Sequence, residues 1–197
     1  MNTPATIAEL IKAQGGIISA GAALEQGLSY EALRRALRRG DIAQMSRGYY
    51  TLPGSFDDEL FLLQARYQRG IYSYLTALYL HGLSDRVPLL YDLTFPAHYN
   101  AHRIDSTIVR VHFDRPELYE QFTQQIKSSA GNEVRAYTTE RTLCDIVRPN
   151  AKVDPSLISD AYKRWAKSPD KDIFAITKCS QLVGVDDKVR SYLEVLL

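Results

Sequence analysis

The chain has 197 residues, 45% hydrophobic and 24% charged, with 24 Lys and Arg against 23 Asp and Glu. Disorder over most of the chain is excluded, because that needs low hydrophobicity with a large charge imbalance, and 11 Gly and 8 Pro are too few for collagen-like or low-complexity sequence. The length suffices for one large domain or two small ones, each with a core that needs no metal or disulfide staple.

The opening MNTPATIAEL lacks the basic stretch and apolar run of a secretory signal peptide. Together with a cysteine count of two, Cys144 and Cys179, this predicts a cytoplasmic protein whose thiols are small buried hydrophobes. The most apolar stretch, residues 71–83, carries His81 and three tyrosines and falls short of the roughly 20 residues needed to cross a bilayer. It reads as buried protein, and no membrane partner is expected.

In chain order, Thr3-Pro4 places a capping hydroxyl before a proline, and Ile7, Leu10 and Ile11 give an apolar stripe that Gly15-Gly16 ends, predicting a helix over residues 4–14. Ser19 caps a short second helix stopped by Gly27, and Ser29 caps a third, YEALRRALRR, stopped by Gly40. A short helix, a glycine turn and a longer basic helix make a helix-turn-helix. Residues 42–45 and 49–52 then read as two strands around Ser46-Arg47-Gly48, a hairpin in the place of a wing.

Residues 1–55 hold six basic and four acidic side chains, and four of the six, Arg34, Arg35, Arg38 and Arg39, fall within one helix. At about 100° per residue these arginines lie opposite Leu33, Ala36 and Leu37, so the helix is expected to anchor by its apolar side and to offer an Arg-rich surface. Ser29 and Tyr30 stand at its amino end. Arginine donates two hydrogen bonds to a guanine edge in the major groove, which makes this a candidate DNA-reading face. Arg47 at the wing tip is a candidate for phosphate or the minor groove, and Ser19 with the amino end of the second helix for a backbone phosphate. Tyr49 and Tyr50 alternate along a strand, one expected in the core and the other a phosphate donor, with the choice open at this stage.

The run GIISAGAALEQGLSYEALRRALRRGDIAQMSRGYYTLPGS resembles the amino-terminal winged-helix domain of the AbiEi family, the antitoxins of type IV abortive-infection toxin–antitoxin systems. SYLTALYLHGLSDRVPLLYDLTFPAHYN, VRAYTTERTLCDIVRP and VRSYLEVLL look like segments of that family's carboxy-terminal domain. The resemblance implies a phage-defence regulator that binds inverted repeats in double-stranded operator DNA, assembles cooperatively with itself there and represses its own operon. It also implies a counterpart toxin resembling nucleotidyltransferases, neutralised without a stable complex. By position it sets the DNA-reading helix on Ser29 to Arg39 and the wing on Ile42 to Leu52, with Arg47, Gly48 and Tyr49 matching the wing's arginine-glycine-tyrosine. Antitoxicity is placed on the second domain as a region.

Residues 56–197 read as a mixed α+β domain behind the winged helix-turn-helix of residues 1–55. Asp57-Asp58-Glu59 opens a helix, Ser73 or Tyr74 to His81 forms another, and strand-like stretches follow at 89–95, 107–113 and 133–137. Thr138 or Thr139 caps a helix through Val147, and helices near 156–167, 171–182 and 187–196 complete the chain. Arg86 with Tyr72, Tyr74, Tyr79, Tyr91 and Tyr99 is weighed as a basic-aromatic track, with core packing expected for most. Arg141 and Asp145, next to Glu140, are expected to form an i, i+4 pair on a helix surface or between domains.

Enzyme readings find little support. His98 and His102 have an i, i+4 spacing that binds zinc on a helix, but Pro96 and Asn100 make their stretch a loop. Asp92 with Glu133-Val134-Arg135 imitates a metal-dependent nuclease with Arg where its catalytic Lys belongs. Phosphate-loop, Gly-x-Ser-x-Gly and Rossmann glycine patterns are missing. No catalytic residue, metal or cofactor is expected. The competing reading is a protein-binding adaptor whose basic face docks a partner while the second domain holds the toxin directly.

Overall fold

The fold is that of a computed structural model, which describes residues 6–14, 16–46, 48–54 and 58–197. Thr3-Pro4 and Arg47 lie outside them. The chain divides into two compact units, Met1–Arg66 with Lys127–Glu133, and Tyr67–Ile126 with Val134–Leu197.

In the first unit, α1 (Ile7–Ala13) begins at Thr6, whose hydroxyl accepts from the Glu9 amide while the Glu9 carboxylate accepts from the Thr6 amide, a reciprocal cap. β1 (Ile17–Ser19) follows, then α2 (Ala20–Glu25), capped by Ser19, and α3 (Tyr30–Arg39), capped by Ser29. Gly40 ends α3 at φ 77°, a left-handed turn that favours a residue without Cβ. β2 (Ala43–Ser46) and β3 (Tyr49–Thr51) form the hairpin, and β1 pairs antiparallel with β3, giving a three-stranded sheet in the order β1-β3-β2. Ile11, Ile18, Ala23, Leu33, Ala36, Ile42 and Tyr50 make the core of this unit. The architecture is a winged helix-turn-helix.

α4 (Glu59–Arg66) is capped by Asp58, whose Oδ1 accepts from the Phe61 amide at 3.1 Å. Asp58 is itself buried, and its other oxygen accepts from the Ser128 hydroxyl and from Asn132 Nδ2 at 2.9 Å. A carboxylate capping a helix and taking two side-chain donors satisfies its lone pairs without water.

In the second unit, β4 (Ile71–Tyr72) leads into α5 (Tyr74–Leu80), followed by β5 (Tyr91–Pro96), β6 (Val109–Asp114) and α6 (Pro116–Tyr119). β7 (Thr123–Lys127) and β8 (Glu133–Tyr137) complete a five-stranded sheet ordered β6-β5-β4-β8-β7. It is mixed: β4 runs antiparallel to β5 and parallel to β8, and β5 runs parallel to β6. α7 (Thr139–Ile146), α8 (Pro155–Lys167), α9 (Ile173–Val183) and α10 (Asp186–Leu196) then pack with α5 around Leu78, Leu143, Tyr162, Trp165 and Ile176. The chain is thus α+β, as expected from sequence, and none of its described helices is long and apolar enough to cross a membrane.

One expectation is overturned. Arg141 and Asp145 are fully buried within the second unit, not on a helix surface or between domains. Arg141 Nε lies 3.0 Å from both Asp145 oxygens, Nη1 donates to the Leu118 carbonyl at 3.2 Å, Nη2 donates to Asp114, and the guanidinium sits 4.4 Å from the centre of the Tyr137 ring. Arg148 closes the cluster, 3.0 Å from Asp145 and 3.4 Å from Asp114. Two guanidinium groups among two carboxylates balance charge, which is what lets so polar a cluster stay away from water.

Candidate nucleic-acid interface

The α3 helix turns as its sequence dictates. Leu33 and Ala36 are buried, Leu37 packs against the same core, and Arg34, Arg35, Arg38 and Arg39 are exposed. Burying a leucine of this kind contributes about 1.5–3 kcal/mol, enough to fix which side of the helix faces in. Arg39 Nε forms an exposed ion pair with Asp41 at 3.0 Å. Arg34, Arg35 and Arg38 form no ion pair among the described residues, so their donors face solvent.

Ser29 and Tyr30 stand at the amino end of α3, both exposed, Tyr30 at 60%. The Ser29 hydroxyl accepts from the Ala32 amide at 3.1 Å, and the Ser19 hydroxyl accepts from the Ala22 amide at 3.0 Å. Each keeps its own proton to give elsewhere. The Ala20 amide donates to the Gly48 carbonyl at 2.7 Å, and the Thr51 hydroxyl to the Gly16 carbonyl at 2.7 Å, so the start of α2 is tied to the wing hairpin. β1 supplies the third strand that stiffens this wing, and it went unread in the sequence because three residues, Ile17 to Ser19, show no strand periodicity of their own.

The two wing tyrosines separate cleanly. Tyr50 is a core residue, and Tyr49 is half-buried with its hydroxyl donating to the Ala65 carbonyl. A phosphate on Tyr49 would therefore have to displace a bond within the unit. Arg47, expected at the tip, lies outside the described residues.

The nuclease-like set does not assemble around one cation. Asp92 lies on β5 and Glu133 opens β8, and β4 runs between those two strands. Asp92 is buried against His112 and Arg110, whereas Glu133 is exposed. Among the described residues no group of three or more His, Cys, Asp or Glu is placed to hold a metal ion.

Comparison with known proteins sharpens this picture. Residues 6–53, the winged helix-turn-helix with its wing, match the family model described as "Transcriptional regulator, AbiEi antitoxin". The carboxy-terminal segments that share in the resemblance lie outside that match. The crystal structure of the RV2827C protein from Mycobacterium tuberculosis is similar in fold, with a TM-score of 0.50 at 14% identity over 94% of this chain and 79% of that one. No curated protein matches the sequence. Residues 6–53 are thus similar to the AbiEi antitoxin transcriptional regulators.

Proposed function

We propose that the protein is a cytoplasmic, sequence-specific DNA-binding repressor and antitoxin. It binds inverted repeats upstream of its own operon through α3, assembles there cooperatively with a second copy, and counters a nucleotidyltransferase-like toxin of a type IV abortive-infection system without holding it in a stable complex. The observation that carries the reading is the outward face of α3, where Arg34, Arg35 and Arg38 are exposed without ionic partners among the described residues, beside a wing. Arg34 and Arg38, one turn apart, are the base readers. Arg35, Arg39, Arg47, Ser19 and Ser29 contact the backbone, and Tyr30 stands at the helix entrance to the groove. The second domain carries the antitoxic function.

Electrophoretic shift titrations with upstream operon DNA and a scrambled duplex test this at two salt concentrations. The expected result is tighter binding to the upstream DNA and a steep loss of affinity with salt, as arginines displace counterions from phosphate. Equal, weak binding to both duplexes, together with co-purification of a stoichiometric toxin complex, would replace the reading with the protein-binding adaptor.

A further inference from the structure

The second unit concentrates polar groups in one buried layer beside α5. β5 and β6 bring Asp92, Thr94, His112 and Asp114 onto neighbouring positions, with Asp92 opposite Arg110 and Thr94 opposite His112. His112 Nε2 is 2.7 Å from Asp92 Oδ1, and the Tyr74 ring lies almost flat on the imidazole, 3.9 Å between centres at 21°. Tyr74 opens α5 at φ 45°, in the left-handed region that a tyrosine seldom adopts. Backbone strain of this kind persists where surrounding structure holds it, and it clusters at ligand sites.

A cavity of about 550 Å³ opens against this layer, lined by Tyr74, His112, Asp114, Arg115, Leu118 and Arg148 among others. That size falls in the range of small-molecule sites, about 300–1,000 Å³. Among the described residues Asp114 is the sole carboxylate of its wall, and its oxygens already accept from Arg141, Arg148 and the Arg115 amide. Arg115, Arg148 and Tyr74 are donors with capacity to spare, the buried Arg148 Nε having no hydrogen-bond partner among the described residues. The Arg115 guanidinium is exposed and, among the described residues, reaches only the Leu182 carbonyl, at 3.4 Å. Tyr74 Oη has no hydrogen-bond partner among the described residues. Burial pushes the Tyr74 hydroxyl up to about 12, so it stays protonated and able to donate at neutral pH. Donors of this number around a carboxylate that is already satisfied favour an anion with several acceptor oxygens, while Leu118, Val183 and Val185 offer an apolar wall beside them.

We infer that this cavity binds a small phosphorylated molecule, its phosphoryl group held by Arg115, Arg148 and Tyr74 beside the His112 ring and its organic part lying against Leu118 and Val185. The cavity is lined wholly by residues of the second unit, so the inference is independent of DNA binding by α3.

Isothermal titration of the full chain with pyrophosphate, adenosine monophosphate and adenosine tests it, with thermal melts in parallel. The expected result is saturable binding of pyrophosphate and adenosine monophosphate, a melting temperature that rises with their concentration, and no binding of adenosine. Arg115→Gln is expected to weaken the nucleotide about tenfold, and Tyr74→Phe about threefold, as each removes a donor to a charged group. The His112 ring signals in NMR spectra should move on titration, while operator shifts by Arg115→Gln stay unchanged. Absence of saturable binding to either phosphoryl probe overturns the inference. So does equal binding of adenosine, or affinity unaffected by both substitutions.

Discussion

Arg34 and Arg38 share one stripe of α3, whereas Arg39 is drawn toward Asp41, so the four arginines of the run are unequal in what they offer a duplex. A base reader loses a bidentate contact when truncated; a phosphate contact loses only charge. Arg34→Ala or Arg38→Ala is therefore expected to weaken binding to the cognate operator by about 1–3 kcal/mol and to relax its preference over a scrambled duplex. Arg47→Ala is expected to weaken both duplexes alike and to flatten the salt dependence. Competition shifts with labelled and unlabelled DNA separate the two patterns, and unchanged affinity in all three variants would remove α3 from the interface. The arginine face was legible because helix periodicity alone decides which side chains oppose Leu33 and Ala36. The fate of Tyr49 was not, since its acceptor, the Ala65 carbonyl, comes from another helix 16 residues on.

At the scale of elements, α3 was readable to the residue because its cap, its stop and its amphipathic stripe agree: Ser29, Gly40 and the Leu33 side all point to one helix. β4 has two residues and exists through its pairing with β5 and β8, while β7 is the polar run TQQIK, so neither carries a signal that a sequence can show alone. The cavity beside α5 was hidden for the same reason. Asp92 and His112 stand 20 residues apart and meet only through a parallel strand pair, and nothing local distinguishes His112 from the three other histidines.

α5 also ends in a pH-sensitive contact. His81, its C-cap, donates through Nε2 to the Tyr137 carbonyl at 2.7 Å, and Gln124 Nε2 is 3.5 Å from its Nδ1, an arrangement that suits the neutral ring. Burial holds its pKa below the ordinary 6.5. The unfolded chain therefore takes up the proton first on acidification, and the stability His81 contributes is present above about 6.5 and falls as pH drops through the folded value. Urea unfolding at pH 7.5, 6.5 and 5.5 should show a declining midpoint. His81→Gln, which keeps a donor for Tyr137, should flatten the decline; an identical decline in this variant would assign it to other groups.

On the scale of the whole chain, the first unit is discontinuous, because residues 127–133 group with Met1–Arg66. Within that unit the Tyr49 hydroxyl joins the wing to α4, Asp58 caps α4, and Ser128 and Asn132 complete the coordination of Asp58. A fragment ending at Arg66 lacks both of those donors. It is expected to unfold at lower urea concentration than the corresponding transition of the full chain, and Asp58→Ala in the full chain should cost about 1–3 kcal/mol by stranding buried donors. Equal midpoints for fragment and full chain would show that residues 127–133 add nothing to the winged helix.

The Asp58 contacts also set an order of events during synthesis. Ser128 and Asn132 follow Asp58 by 70 and 74 positions, so a ribosome must translate through Tyr67–Ile126 of the second unit before the winged helix-turn-helix unit can complete these contacts. A chain released before Asn132 has emerged therefore carries a buried Asp58 carboxylate short of two of its donors.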